Sequence, residues 1–127
     1  MNELGRKIRI GKKRHTLTFT TLAYSDVLDR YGSIEAMGEK IENMSEAESI
    51  KELAWLIALL CNSTIKIREY EDSKKYKKIT TEEVLLAMRP MEVLAAYEQI
   101  VAAINDGLRV TEDEDEEVDE VLEEIKN

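Results

Sequence analysis

Ser45-Glu46-Ala47-Glu48-Ser49-Ile50-Lys51-Glu52-Leu53-Ala54-Trp55-Leu56-Ile57-Ala58-Leu59-Leu60-Cys61 decides the fold. Ser45 and Glu48 stand three apart, the spacing of a capping box, in which each side chain satisfies a backbone N–H that the first helical turn leaves unpaired. From Leu53 to Cys61 every residue is apolar. Over a helix spanning 46–69, Ile50, Leu53, Trp55, Leu56, Ile57, Leu59, Leu60 and Ile65 cover most of the circumference. A helix apolar nearly all round is a buried one. A membrane span needs about 20 consecutive apolar residues, so this run predicts the central helix of a water-exposed domain and no transmembrane segment.

Upstream, Ile8 and Ile10 alternate with Lys7 and Arg9, and Leu17 and Phe19 alternate with Thr16, Thr18 and Thr20. Period-two alternation predicts a hairpin over 7–20, with Gly11-Lys12-Lys13-Arg14 as its turn. Thr20 or Thr21 can cap a helix that places Tyr24, Val27, Leu28 and Tyr31 on one face and stops at Gly32. Ser33 caps a short helix over about 34–43, carrying Ile34, Met37 and Ile41. Downstream, Glu71–Lys78 reads as a polar loop. Thr80 and Glu83 form a second capping box, opening a helix with Val84, Leu85 and Met88. Pro90 suits the first turn of the next helix, where a missing N–H costs nothing. That helix carries Val93, Leu94, Tyr97, Ile100, Val101 and Ile104, with Gly107 as a natural residue to follow its end. The expected architecture is mainly α: a small N-terminal hairpin followed by about five helices.

Charge divides the chain. Residues 1–110 hold 17 basic and 17 acidic residues, so the net charge of −9 resides in residues 111–127, with ten acids and the single base Lys126. The domain reading is therefore one α-rich body, 1–110, and an acidic tail, 111–127. Within the tail, Val118, Val121, Leu122 and Ile125 fall at i, i+3, i+4 and i+7, one face of a short amphipathic helix. Such a helix docks in an apolar groove, packs on its own body, or frays.

Little here suggests catalysis or a cofactor. His15 is the sole histidine and reads as a solvated residue of the hairpin turn. Cys61 is the sole cysteine and lies within the apolar helix, so it predicts a buried, inert thiol and no disulfide or CxxC metal pair. A reducing cytoplasm suits it. Met1–Arg6 shows no apolar h-region, and no secretory signal is expected. No P-loop, GxSxG, HExxH or dinucleotide fingerprint occurs. Glu82 and Glu83 are explained by the helix dipole, and the acidic tail lacks EF-hand spacing. The expectation is a non-enzyme without metal or cofactor.

Two basic clusters remain: Arg6, Lys7, Arg9, Lys12, Lys13 and Arg14, and Lys74, Lys75, Lys77 and Lys78 around Tyr76. Either can contact phosphates, an acidic partner or the acidic tail. The helices over 82–88 and 91–106 have a helix-turn-helix outline. The second, however, bears Glu92, Glu98 and Asp106 and no Lys or Arg, which argues against reading DNA.

The order of features has a family likeness. Leu17-Thr18-Phe19-Thr20-Thr21-Leu22-Ala23-Tyr24 is followed by Leu28-Asp29-Arg30-Tyr31-Gly32-Ser33-Ile34-Glu35-Ala36-Met37. Then come the apolar helix Leu53–Cys61, the capped segment Ile79-Thr80-Thr81-Glu82-Glu83-Val84 and a terminal amphipathic helix. Over residues 7–108 this resembles the tail assembly chaperones of long-tailed bacteriophages and prophages. The acidic tail lies outside the matched region. The resemblance implies a small helical, non-enzymatic protein of the bacterial host cytoplasm, absent from the mature virion. It implies two partners, the tape measure protein, kept soluble, and the tail tube protein, helped to polymerise around it. Family members often self-associate, so it also admits a homo-oligomer, and many occur as a short and a frameshifted long form. The alternative function is a small phage or bacterial regulator or nucleic-acid-associated adaptor working through residues 6–14 and 74–78.

Overall fold

A computed structural model describes residues 6–109. Two antiparallel strands, β1 (Arg6–Ile10) and β2 (Lys13–Leu17), precede five helices: α1 (Thr21–Tyr31), α2 (Ile34–Asn43), α3 (Glu46–Asp72), α4 (Thr81–Ala87) and α5 (Pro90–Leu108). The mainly α architecture with an N-terminal hairpin is as the periodicity predicts. No helix among the described residues is long and apolar enough to cross a membrane. The tail residues Val118, Val121, Leu122 and Ile125 lie outside the described residues.

The hairpin is tighter than expected. Only Gly11 and Lys12 form the turn, with Gly11 at φ 63°, a left-handed conformation that glycine adopts without steric cost. Lys13 and Arg14, read from sequence as turn residues, belong to β2, as does His15, which pairs with Ile8. Partners across an antiparallel ladder share a face. Arg6, Ile8, Ile10, Lys13, His15 and Leu17 therefore line one face, and Lys7, Arg9, Arg14 and Thr16 the other. His15 is half-buried rather than a solvated turn residue. Leu17 is fully buried and ends β2. The next residue leaves the ladder because the Thr18 N–H donates to the Leu60 carbonyl of α3 at 3.2 Å.

The helix starts follow their caps. Thr20 Oγ1 accepts from the Ala23 N–H at 3.1 Å, and Ser33 Oγ from the Ala36 N–H at 2.9 Å. Both capping boxes form, Ser45 with Glu48 and Thr80 with Glu83. Before α5 the Glu92 carboxylate accepts the Arg89 N–H at 2.8 Å, and Pro90 occupies the first turn. Helix α3 packs against all four other helices and β2, while β1 packs against α5. Its Leu53, Ala54, Leu56, Ile57, Leu60 and Cys61 meet Leu17, Val27, Val84, Val93, Ile100 and Ile104 in one core. Truncating any of the fully buried leucines or isoleucines to Ala costs about 2–5 kcal/mol.

Two boundaries differ from the sequence reading. Helix α3 continues to Asp72 and stops at Ser73, which takes a left-handed conformation at φ 55° and donates its N–H to the Glu69 carbonyl. No glycine or proline interrupts residues 69–72, so nothing local ends the helix earlier. At the other end, α5 runs through Gly107 to Leu108. The role of Gly107 is closeness: a Cβ there would lie 2.7 Å from the Phe19 Cβ and closer still to the Phe19 carbonyl oxygen.

Candidate functional site

The segment after α3 is polar, as expected, but it is strapped down. Asn62, on α3, donates from Nδ2 to the Ile79 carbonyl at 2.7 Å and accepts the Ile79 N–H at Oδ1, also at 2.7 Å. An amide side chain thereby satisfies both backbone groups of one residue, as a neighbouring strand does. Upstream, Glu69 accepts the Tyr76 N–H at 2.8 Å and pairs with the Lys78 ammonium. Tyr76 donates its hydroxyl to Asp72 at 2.6 Å. The Lys78 ammonium and the Tyr76 N–H hold the Glu69 carboxyl below its ordinary range.

The strap brings the two basic clusters together. A groove of about 460 Å³ opens between the hairpin, the end of α3, the strap and α4. Ile10, Ile65, Ile79 and Ala87 line it with the exposed Leu86 at its edge, and it carries Lys13, Lys77 and Lys78 against the single acid Glu83, which pairs with Lys77 at 3.3 Å. An adjoining cavity of about 480 Å³ shares Lys13, His15, Ile65 and Lys77 and adds Arg14, Arg68 and Tyr76. Lys13 and Lys77, far apart in sequence, thus face one space. Lys74 and Lys75 border a separate depression with Lys66 and Tyr70, and Lys12 sits in the turn. Arg9 and Arg14 stand directly opposite each other across the hairpin, a like-charge pair that destabilises the ladder.

Leu86, at the edge of the groove, is 80 % exposed on α4. The sequence reading missed the groove. Leu86 was legible only as an apolar residue off the buried stripe of α4, and Asn62 only as a polar residue following the apolar run.

His15 lines the groove, and burial first, then the Lys13 ammonium, lower its pKa. Its imidazole is therefore neutral at physiological pH. Burial pushes the Cys61 thiol up to about 12, the reverse of what a nucleophilic cysteine needs. Among the described residues no three His, Cys, Asp or Glu side chains are grouped to hold a metal ion.

A larger depression, about 760 Å³, lies where α1, α2 and α3 meet, bounded by Tyr31, Glu39, Lys40, Glu48, Lys51 and Glu52. Its charges serve each other. Arg30 grips Glu52 with Nε at 3.1 Å and Nη2 at 2.9 Å, Tyr31 donates its hydroxyl to Glu52, and the guanidinium lies 4.1 Å over the Trp55 ring. The Arg30 hydrogen bonds, ahead of that from Tyr31, keep the Glu52 carboxyl below its ordinary range. This bidentate, ring-stacked cluster fastens α1 to α3, and Tyr31, Ala36 and Met44 are the apolar part of a lining that otherwise carries acids and lysines in mixture. The groove beneath Leu86, with its apolar floor and basic rim, is the better binding surface. Comparison with known protein families, curated proteins and solved structures finds no match for this chain.

Proposed function

We propose that this chain is a non-enzymatic assembly chaperone of the phage-tail type, which binds an amphipathic helical segment of the tape measure protein. It holds that client soluble in the bacterial cytoplasm while tail tube subunits assemble, and it is absent from the finished particle. The observation that carries this reading is the groove: Ile10, Ile65, Ile79 and Ala87 line it, three lysines border it, and the solvent-exposed Leu86 stands at its edge. A helix laid in such a groove buries an apolar stripe and meets the lysines with acids on its flanks. The resemblance of residues 7–108 to tail assembly chaperones supplies the client.

Co-expression tests it. A tape measure protein that is insoluble alone is expected in the soluble fraction with the wild-type chain and in the pellet with the Leu86→Asp variant. Equal insolubility with wild type and variant refutes the reading. The convergence of Lys13, Arg14, Lys77 and Lys78 supports a second reading, a nucleic-acid-associated adaptor. Retarded migration of a DNA or RNA duplex at low salt, lost when these four are changed to Glu, would favour it over a chaperone.

A further inference from the structure

We propose that the groove's first occupant is the chain's own acidic tail, with residues 118–125 docked as a helix in cis. This rests on reading the groove as a helix-docking site, and it adds a regulatory step: a client must displace the tail.

Chemistry matches first. Val118, Val121, Leu122 and Ile125 form one stripe at helical spacing, flanked by Glu117, Asp119, Glu120, Glu123 and Glu124. The groove offers the complement, an apolar lining of Ile10, Ile65, Ile79 and Ala87 bordered by Lys13, which has no ion pair among the described residues, and by Lys77 and Lys78, which also pair with Glu83 and Glu69. An apolar stripe between acids fits an apolar floor between bases, and the pairing fixes orientation as well as affinity.

The charge balance points the same way. Among the described residues, Arg9, Lys12, Lys13 and Arg14 form no ion pair, and Arg9 opposes Arg14 directly. The tail carries ten acids against one base. Of the hairpin bases Lys13 lines the groove, so a tail docked there gives it an acidic partner and offsets the self-repulsion of the tail.

Reach favours the same chain over a neighbour. Arg6 Nε bonds Asp106 at 2.9 Å, which places the start of β1 beside the end of α5. Ile10, which lines the groove, lies four strand residues further on, about 14 Å at the rise of a strand. The tether from Arg109 to Val118 has nine steps, and its r.m.s. end-to-end length is about 17 Å if flexible and more if charge-extended. A tether whose length matches the span gives the highest effective concentration, in the millimolar range for short linkers.

The test uses the full chain and a fluorescein-labelled synthetic peptide of residues 111–127, read by anisotropy at low salt. The Val121→Asp/Leu122→Asp variant alters only the tail, outside the core. It is expected to bind the peptide about tenfold more tightly than wild type, because its own tail no longer competes. Adding Leu86→Asp, at a residue exposed enough to leave the fold intact, is expected to abolish that binding. Equal, Leu86-dependent binding to wild type and tail variant overturns docking in cis while leaving the groove as a helix site. No binding to either overturns docking of the tail in the groove and leaves the client reading to the co-expression result. Wild type that dimerises by light scattering, with the tail variant monomeric, places the tail on a neighbouring copy and also overturns the proposal.

Discussion

Replacing Asn62 with Ala tests the strap. The wild-type amide makes two 2.7 Å hydrogen bonds to Ile79, one as donor and one as acceptor, in a half-buried setting. Each such bond contributes about 1 kcal/mol net, with a further penalty where the abandoned partner stays shielded from water. The expected loss is about 2 kcal/mol. For a domain of this size, with a urea slope of about 1–1.5 kcal/mol per molar, that lowers the denaturation midpoint by about 1.5 M. The slope itself should hold, since the core contacts of α3 are untouched. Hydrogen exchange localises the effect. In wild type the Ile79 amide should be protected, and in Asn62→Ala it should exchange near the rate of an open chain. Anisotropy with the tail peptide should also weaken, because Lys77 and Lys78 lose their fixed place on the rim. A midpoint shift below about 0.3 M, or a wild-type Ile79 amide that exchanges freely, would refute the reasoning.

Four further outcomes follow from the packing and the titrating groups. Gly107→Ala should destabilise by about 1–2 kcal/mol, because overpacking against the Phe19 backbone outweighs the helix propensity gained; a thermal midpoint at or above wild type would contradict that. Glu52→Gln should cost about 1–2 kcal/mol through the weakened Arg30 and Tyr31 bonds. The depressed Glu52 pKa also gives wild type a stability increment that is full above the ordinary value of 4.5 and is lost as pH falls through the folded value, so acid titration of the variant should lack it. His15 has the opposite charge type but the same sense: its folded pKa lies below 6.5, so the unfolded chain takes up its proton first and stability declines as pH drops below 6.5. His15→Gln should flatten the wild-type melting profile between pH 7.5 and pH 5. Cys61, at 1 % exposure with its thiol pushed up to about 12, should resist iodoacetamide in the native state and react at once in denaturant.

Much of the fold was written locally. Serine and threonine caps sit where side-chain oxygens reach backbone N–H groups two or three residues ahead, and a single sequence displays that spacing. The apolar circumference of α3 announced the core helix for the same reason. What escaped depended on distant partners. Asn62 meets Ile79 across 17 positions, and Gly107 is small because Phe19 passes beside it. Neither contact leaves a mark on its own neighbourhood. His15 was misplaced because Gly11 alone, at positive φ, suffices for a two-residue turn, which moves Lys13 and Arg14 into the strand. The two basic clusters were visible as clusters, yet only the path of the strap shows that Lys13 of the first shares a groove with Lys77 and Lys78 of the second while Lys74 and Lys75 face elsewhere. The tail's stripe was legible in sequence, and the groove was not.

The placement of β1 governs the order in which this chain can fold. Arg6 meets Asp106, one hundred residues later, and β1 packs against α5. During synthesis the hairpin and the first three helices emerge long before that partner exists. Two strands alone are marginal in water; β2 can settle on α3 early, but β1 gains its main helical partner only when α5 has left the ribosome. Contacts of such high sequence separation slow folding. They also make completion a late event: the last of the described helices anchors the first strand, and a chain halted before residue 100 lacks the Asp106 that Arg6 grips.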